Sequence, residues 1–279
     1  MGRLCGEGRP PTSEARLAFL VKTPFCHYTV IMGSEVRDYT AQFPYPRRRL
    51  LRFFMRRGIR LAFRILGRLR VEGKENIPAS GPLLVVANHF SFLDPVAVIC
   101  VTPWPMDFLA GLQMVNAPPA VTFLPEMWGV YRVRRGGASR DAMRAAIAVL
   151  AQKGVLGVMP EGGNWASVLR PARPGAAYLA AQTGAPLLPI GLDGLLDFFP
   201  SLRQGRRPTV TVRIGRSFGP FQAAGQGRER RQQLDAIGDK IMQRIAELIP
   251  PERRGVYSDD PALRAAAQAV AYPYDDLLG

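Results

Sequence analysis

The chain has 279 residues, of which 47% are hydrophobic and 9% aromatic, and its 37 Lys plus Arg outnumber its 22 Asp plus Glu to give a formal charge of +15. This composition excludes a disordered or fibrous chain and suffices for one large α/β domain or two small ones. Arginine carries most of the positive charge, and because its planar fork pairs with phosphate, the composition indicates an anionic phosphate partner.

Cysteine and histidine are too scarce for several kinds of site. The three cysteines, Cys5, Cys26 and Cys100, form no CxxC pair, so we expect neither a disulfide scaffold nor a cysteine-rich zinc site, and we expect a reducing, cytoplasmic setting. With His27 and His89 as the two histidines, a multi-histidine metal site is not expected either, and few residues remain as a histidine base.

Residues 1–42 precede the first regular pattern. Their apolar part is interrupted by Lys22 and Pro24 too soon for a secretory signal, and we expect the segment to be a poorly ordered N-terminal extension. No uninterrupted apolar run of the chain is long enough to cross a bilayer, so we do not expect an integral membrane protein.

Residues 43–70 contain ten arginines and no acidic residue. Arginine recurs at every fourth position along this segment, at Arg52, Arg56, Arg60, Arg64 and Arg68. A second helical face carries apolar side chains, namely Leu50, Phe54, Leu61, Ile65 and Leu69. The pattern predicts a basic amphipathic helix.

Three roles fit such a helix: a solvated helix that packs its apolar side on the core, a nucleic-acid-binding arm, and an interfacial helix on anionic lipid. We favour the lipid role and expect no nucleic acid partner, because Phe53, Phe63 and Leu66 add to an apolar surface larger than a phosphate-binding arm needs. Each arginine near an anionic leaflet would contribute about 1 kcal/mol, so this hypothesis predicts salt-sensitive membrane binding.

Residues 71–257 alternate between strand-like and helical patterns. Buried-strand patterns occur at 83–87 (LLVVA), 155–159 (VLGVM) and 185–192 (APLLPIGL), and helical patterns lie between them. This alternation predicts an α/β domain with a mostly parallel central sheet flanked by helices. Residues 258–279 are expected to be a C-terminal tail that forms a short helix or stays disordered.

Polar side chains follow three of the predicted strands, at the edge where the reactive groups of parallel sheets gather. His89 and Asp94 follow LLVVA, Arg134 and Arg135 follow the possible strand GVYRV, and Glu161 follows VLGVM. If these strands are neighbours, a base, a carboxylate and an anion-binding pair converge on one cleft.

The spacing of His89 and Asp94 constrains how they can meet. Five residues apart, they would lie on opposite faces of a strand and about 140° apart on a helix. A turn must therefore bring them together, with Asp94 at the N-cap of a helix that begins with Pro95. A carboxylate on one ring nitrogen leaves the other free to take a proton from an alcohol. Alone, the pair is better explained as a buried histidine beside a helix-capping aspartate.

Four ordered segments resemble the glycerolipid acyltransferases of the lysophosphatidate acyltransferase type. NHFSFLDP fits the family's NHxxxxD block through His89 and Asp94, and GVYRVRR fits the second block, which ends at Arg135. The PEGG of residues 160–163 fits the third block, and the second proline of APLLPIGL fits the fourth. The resemblance covers roughly residues 71–257, and four blocks in order are far more specific than one HxxxxD.

The resemblance implies an enzyme that moves a fatty acyl group from acyl-CoA or acyl-carrier protein to a lysophospholipid hydroxyl, with no metal, cofactor or acyl-enzyme intermediate. It implies phospholipid biosynthesis at the cytoplasmic face of a membrane, with 1-acylglycerol-3-phosphate as acceptor and phosphatidate as product. His89 would be the general base that activates the hydroxyl, and Asp94 would orient its ring and stabilise the imidazolium.

The second and third blocks would supply the substrate-binding residues. These are Arg134, Arg135, Glu161, Gly162, Asn164 and Arg170. Arg135 would hold the acceptor phosphate through charge-assisted hydrogen bonds, and Glu161 would organise the acceptor pocket or pair with an arginine. A solvated surface arginine and a structural salt bridge are the alternatives for these two residues.

The third block departs from the family pattern, in which Thr-Arg-Ser usually follows the Glu-Gly pair. Here Gly163, Asn164 and Trp165 follow, so the familiar phosphate-binding arginine is missing. Either Arg170 or Arg173 replaces it, or the acceptor headgroup differs from glycerol phosphate. The alternatives to a phosphatidate-forming enzyme are an acyltransferase for another lysolipid and a noncatalytic module that binds anionic membranes.

Overall fold

The structure is a computed structural model that describes residues 39–111, 117, 119–133, 140–164 and 166–269. Most of the expected N-terminal extension, residues 1–42, lies outside the described residues, and the four that are described, 39–42, are helical. Arg134, Arg135 and residues 270–279 of the expected tail also lie outside the described residues.

Seven strands of the described chain form one sheet. They are β1 (Arg68–Glu72), β2 (Leu83–Ala87), β3 (Asp107–Gly111), β4 (Tyr131–Val133), β5 (Val155–Val158), β6 (Leu187–Asp193) and β7 (Thr209–Ile214). Their order across the sheet is β1-β7-β6-β2-β5-β3-β4. Neighbouring strands are parallel except for β6 and β7, so β1 and β7 run opposite to the other five.

Helices cover both faces of the sheet. They are α1 (Arg49–Leu66), α2 (Asp94–Val101), α3 (Leu124–Trp128), α4 (Arg140–Ala151), α5 (Pro174–Thr183), α6 (Phe198–Arg203), α7 (Gly227–Ala246) and α8 (Pro261–Ala269). Side chains of α1, α2 and α6 join one hydrophobic core cluster, and side chains of α4, α5 and α7 join another. The predicted fold class, a mostly parallel sheet flanked by helices, is confirmed.

β2 shows how the sequence places the sheet between two helical layers. All five of its residues are buried; Leu83 and Val85 belong to one core cluster, and Leu84 and Val86 belong to the other. Because successive strand side chains point to opposite faces, a strand covered on both faces needs an uninterrupted apolar sequence. The strands predicted from LLVVA, VLGVM and APLLPIGL are present to within two residues.

α1 crosses one face of the sheet, from β3 at one side of the strand order to β1 at the other. Arg52, in its first turns, pairs with Asp107 at the start of β3, and Phe63 near its end packs on Phe198, which follows β6. Gly67, the residue after α1, leads directly into β1. Since β1 runs opposite to β6, α1 ends at the edge where β2, β5 and β6 have their carboxyl ends.

The basic helix predicted over residues 43–70 is shorter than expected. It ends at Leu66, and Arg68 and Arg70 lie in β1. The backbone of Gly67 is extended, and the N–H of Arg68 donates to the carbonyl of Pro208 (2.8 Å). The chain leaves the helix here because the RLRVE segment pairs in parallel with β7, and its alternating burial suits a strand at the edge of a sheet.

Part of the arginine row of α1 faces the protein. Arg52 is buried, and Arg56 and Arg60 donate to main-chain carbonyls of the protein. Arg52 is therefore enclosed by the protein, whereas Arg60 keeps an exposed surface, and the prediction that the basic helix lies on anionic lipid stays a prediction. The outer side of α1 carries exposed hydrophobic residues, with the exposed Arg49, Arg57 and Arg64 among them. We call the hydrophobic set the apolar stripe; it consists of Leu50, Leu51, Phe53, Phe54, Leu61, Ile65 and Leu66.

No helix among the described residues combines the length and the hydrophobicity needed to cross a bilayer.

Candidate active site

The candidate site begins where β2 ends. Asn88 is buried, and its side-chain amide bonds both main-chain groups of Leu192 on β6: Nδ2 donates to the carbonyl (2.9 Å), and the N–H of Leu192 donates to Oδ1 (2.7 Å). Asn88 thus extends the pairing of β2 and β6 by one residue and sets the point at which His89 leaves the sheet. The sequence interpretation missed this role, although a polar residue that closes an apolar strand is a signal for it.

His89 and Asp94 meet through a turn, as their spacing predicts. Asp94 Oδ2 lies 3.1 Å from His89 Nδ1 and also accepts the backbone N–H groups of Phe90 and Ser91, each at 2.6 Å. α2 begins at Asp94 itself, and Leu93 occupies the N-cap position. The predicted N-cap role of Asp94 is wrong by one residue, because its carboxyl group binds N–H groups of the preceding turn rather than those of the helix.

The surroundings of Asp94 leave one nitrogen of the His89 ring open. Desolvation raises the pKa of the buried Asp94 carboxyl group above its ordinary value, while the His89 contact and the two backbone N–H groups lower it. A carboxylate at Nδ1 favours the tautomer with its proton there, so Nε2 carries the lone pair. The His89 side chain is 17% exposed, and Nε2 makes no hydrogen bond to the described part of the chain. It can therefore accept a proton from a group that reaches the exposed side of the ring.

Glu161 connects the loop after β5 to the loop after β2. These two strands are neighbours in the sheet, as the predicted convergence of their loops requires. Its buried carboxyl group accepts the backbone N–H of His89 on Oε1 (2.8 Å) and that of Arg170 on Oε2 (3.2 Å). Burial raises the pKa of Glu161 to about 8; the two hydrogen bonds oppose this shift, and the charge of Asp94 adds to it. Glu161 therefore positions the main chain of His89, a contact that residue spacing does not predict.

The other predicted residues of the third block lie in the same loop. Gly162 has a φ of +75°, which favours glycine, and the side chain of Arg173 lies over it, so that an added Cβ would stand 2.8 Å from Arg173 Cδ. Asn164 and Arg170 are both buried. Arg173, at the N-cap of α5, is the more accessible of the two arginines that are candidates to replace the missing one. The ligand-binding roles of these residues stay predictions.

Arg134 and Arg135 follow β4, and both lie outside the described residues. β4 is separated from β5 by β3, so this segment begins two strands away from the loop that carries Glu161. Of the three polar clusters expected to converge, the structure places together those that follow β2 and β5. The roles of Arg134 and Arg135 stay predictions.

A row of aromatic rings connects the site to α1. Phe92, in the turn that follows His89, stacks on Phe199 with ring centroids 5.7 Å apart. Phe199 contacts Phe198 at 5.6 Å, and Phe198 contacts Phe63 of α1 at 5.5 Å. The turn that holds the candidate base therefore packs, through three ring contacts, against the helix that carries the apolar stripe.

The segment after α7 contacts the loop that follows Glu161. The N–H of Leu169 donates to the carbonyl of Arg253 (2.9 Å), and Arg253 Nη1 donates to the carbonyl of Ser167 (3.1 Å). Gly255 has a φ of +54°, and a Cβ at that position would lie 2.1 Å from the carbonyl oxygen of Leu169. Arg253 and Gly255 thus contact the loop that leads from Glu161 to α5.

The geometry suits proton abstraction from a hydroxyl group. An imidazole fixed by a carboxyl group at Nδ1 and open at Nε2 is a general base. The partner of His89 is a carboxyl group and not a serine or cysteine, so the arrangement favours direct activation of a bound alcohol over formation of a covalent enzyme intermediate.

Comparison with known proteins shows that part of the chain is similar to one family. Residues 68–193 match the family model described as Acyltransferase. The chain is 29% identical over 154 residues to the 1-acyl-sn-glycerol-3-phosphate acyltransferase of Borreliella burgdorferi, a match that covers 54% of this chain and 62% of that protein. It is 31% identical over 135 residues to the human 1-acyl-sn-glycerol-3-phosphate acyltransferase alpha, with 47% and 48% covered. The match thus spans about half to three fifths of these relatives.

Two further matches cover a larger share of the matched protein. The 1-acyl-sn-glycerol-3-phosphate acyltransferase of Bacillus subtilis is 21% identical over 196 residues, which cover 70% of this chain and 95% of that protein. Among solved structures, the crystal structure of the 1-acyl-sn-glycerophosphate acyltransferase PlsC from Thermotoga maritima is similar with a TM-score of 0.47 and 22% identity, over 76% of this chain and 88% of that one.

Proposed function

Since residues 68–193 of the chain match the acyltransferase family model, we propose that the protein transfers a fatty acyl group from a thioester donor, acyl-CoA or acyl-carrier protein, to the hydroxyl of a lysophospholipid. The proposed acceptor is 1-acylglycerol-3-phosphate, in keeping with the names of the relatives, and the product is phosphatidate. The observation that carries the proposal is the His89 ring, held at Nδ1 by Asp94 and open at Nε2.

The reaction needs no metal or cofactor. Nε2 of His89 takes the proton of the acceptor hydroxyl while the hydroxyl oxygen attacks the thioester carbonyl, and Asp94 stabilises the imidazolium that forms. The tetrahedral intermediate collapses with cleavage of the C–S bond. The imidazolium then returns its proton to the leaving thiolate, which restores the neutral ring. General-base catalysis of this kind contributes about 10²–10⁴ to the rate.

Unequal burial favours a catalytic His89 over a purely structural one. The two carboxyl groups that hold this residue, Asp94 and Glu161, are each 1% exposed, whereas the imidazole between them is 17% exposed. Burying two acids is costly unless their hydrogen bonds are satisfied. A histidine that only filled the core would be enclosed together with its partners, so the exposed ring supports a role in the cleft.

The acceptor phosphate needs a cation in place of the missing arginine of the third block. Arg173 lies over Gly162, directly after the residue that fixes His89, and it is partly exposed. Arg170 is 5% exposed, with its backbone N–H bonded to Glu161. We therefore propose that Arg173 binds the acceptor phosphate together with Arg135, whose role rests on the family resemblance, and that Arg170 stabilises the loop.

We propose that the apolar stripe docks the protein on the cytoplasmic face of a bilayer. Every side chain of the stripe is at least 38% exposed, and an exposed hydrophobic surface of this extent marks an interaction site. A bilayer fits it because the proposed acceptor is a lipid and because the aromatic row leads from α1 to His89. Each side chain that enters hydrocarbon contributes about 1 kcal/mol or more. The exposed Arg49, Arg57 and Arg64 lie on the same helix, and their long side chains would reach the headgroups.

The direct test of the function uses the purified protein with acyl-CoA and lysophosphatidate in vesicles. We expect free thiol and phosphatidate to form in equal amounts, and lysophospholipids with other headgroups to react more slowly. Thiol release without phosphatidate would indicate a hydrolase. Absence of transfer to any lysophospholipid, from acyl-CoA and from acyl-carrier protein, would contradict the proposal.

A further inference from the structure

Besides the apolar contacts of Met55, Ile59 and Phe63, α1 and the two residues before it are attached to the protein through arginine side chains. We call these contacts the arginine clamp. Its members are Arg47, Arg48, Arg52, Arg56 and Arg60. Their partners are the side chain of Asp107 and main-chain carbonyls of residues 100–105 and 126–129. The clamp lies at the amino edge of β3 and β4, far from the end of α1 that reaches the candidate site.

The carbonyl partners belong largely to the ends of two helices. Arg60 Nε donates to the carbonyl of Cys100 at the end of α2 (2.8 Å), and Arg52 Nε donates to that of Trp128 at the end of α3 (2.9 Å). The last carbonyls of a helix have no partner within it and carry partial negative charge, so guanidinium groups suit them. This complementarity explains why the Arg52 and Arg60 side chains turn toward the ends of α3 and α2.

Asp107 is the anionic centre of the clamp. Its side chain is fully buried and accepts hydrogen bonds from Arg47 Nε (3.1 Å) and from the buried Arg52. Among the described residues, it is the only carboxylate that the five clamp arginines contact. A buried charge is tolerated only with its partners in place, so Asp107 restricts where the amino-terminal half of α1 can lie.

The other end of α1 is fixed independently. Gly67 leads without a loop into β1, and Phe63 packs on Phe198 at the carboxyl edge of the sheet. With one end held by β1 and the other by Asp107, the axis of α1 and the direction of its apolar stripe are set relative to His89.

We infer that Asp107 is a positioning residue, which holds α1 at the angle that brings the apolar stripe level with the cleft of His89, so that an acceptor passes from the bilayer to the base. This inference rests on the proposed function. Asp107 lies at the opposite edge of the sheet from His89 and takes no part in the reaction. Its loss therefore affects a bilayer-embedded acceptor and spares one that is dispersed in water.

The test compares two acceptors in the full-length protein: long-chain lysophosphatidate in vesicles, and a short-chain analogue dispersed as monomers. We expect Asp107→Asn to lower kcat/KM by about tenfold on vesicles, as small displacements of bound substrate do, and to leave kcat/KM for the dispersed analogue unchanged. Arg56→Gln leaves no buried charge unpaired and should act in the same direction, which keeps the test usable if Asp107→Asn does not fold.

Glu126→Gln is the matched control. It removes the exposed ion pair between Glu126 on α3 and Arg132 on β4 and should change neither rate. If Asp107→Asn and Arg56→Gln lose kcat/KM equally on both acceptors, the clamp has a general structural role. If kcat/KM is unchanged on both acceptors, it has no role. Either result overturns the inference and leaves the proposed function standing. A wild-type protein inactive on both acceptors would overturn the proposed function as well.

Discussion

His89 is held at two separate places by two buried carboxyl groups. Asp94 binds its ring, and Glu161 binds its backbone N–H. Fixing the backbone and the ring separately holds Nε2 at one place in the cleft before a substrate arrives. Such preorganisation lowers the entropy lost when a base and a hydroxyl are aligned. The two carboxyl groups thus have different tasks although both are buried beside the same residue.

Glu161 should make the stability of the protein depend on pH. Because burial raises its pKa from 4.5 to about 8, the folded chain keeps a proton that the unfolded chain releases between these pH values. Its contribution to the free energy of unfolding is therefore fully present below about pH 4.5 and is lost as pH rises through about 8. Glu161→Gln cannot ionise, so the stability difference between wild type and variant should shrink as pH rises.

Urea unfolding of both proteins at about pH 5 and about pH 8 measures this effect. At the lower pH the variant should be less stable by about 1–3 kcal/mol, because an amide accepts only one of the two N–H groups that the carboxyl group binds. A stability difference that is the same at both pH values would show that Glu161 does not titrate in this range.

The sequence predicts the central pair of the site better than its supports. The five-residue spacing of His89 and Asp94 required a turn, and the turn is present. The contacts of Asn88 with Leu192 and of Glu161 with the His89 backbone were not predictable, because they join a side chain to main-chain groups that are distant in sequence. Residue types show which groups can form hydrogen bonds but not which backbone groups face them after folding.

α1 should bind membranes through its apolar stripe and not through the arginine row. We expect the protein to co-sediment with uncharged phosphatidylcholine vesicles and to stay bound in about 1 M salt, where the Debye length is about 3 Å. The double variant Phe54→Gln, Ile65→Gln should bind at least about tenfold more weakly, because two exposed apolar side chains no longer enter hydrocarbon.

The matched control for this double variant is Arg57→Gln, Arg64→Gln, which removes two exposed charges from the same helix. It should retain binding to uncharged vesicles. Release of the wild type by salt, together with normal binding of the Phe54→Gln, Ile65→Gln variant, would restore the electrostatic hypothesis and refute the apolar one.

The helical period predicted that α1 has two faces but not which face the protein covers. A repeat of apolar and basic residues is compatible with either orientation, and apolar burial is the usual outcome. Here the inner positions near Arg52 and Arg60 meet helix-end carbonyls and Asp107, so charge complementarity decides. β1 was missed because its structure also depends on distant segments. Arg68–Glu72 becomes a strand only through its long-range pairing with β7.

At the scale of the whole molecule, the alternation of strands and helices was enough to predict a mostly parallel sheet with functional groups at its carboxyl edge. The order of the strands and the reversed direction of β1 and β7 were not predictable, since they depend on pairings between distant segments. That reversal is what brings the end of α1 to the edge that carries His89. The lipid-facing helix and the candidate base therefore meet through topology and not through sequence proximity.

The most direct test of the account is the rate of phosphatidate formation by His89→Ala, measured with acyl-CoA and lysophosphatidate in vesicles beside the wild type. We predict a loss of about 10²–10⁴ in kcat, with an unchanged circular dichroism spectrum and unchanged vesicle binding, because the ring contributes neither to the core nor to the apolar stripe. Turnover equal to that of the wild type would contradict the account, because the imidazole would then have no part in the reaction.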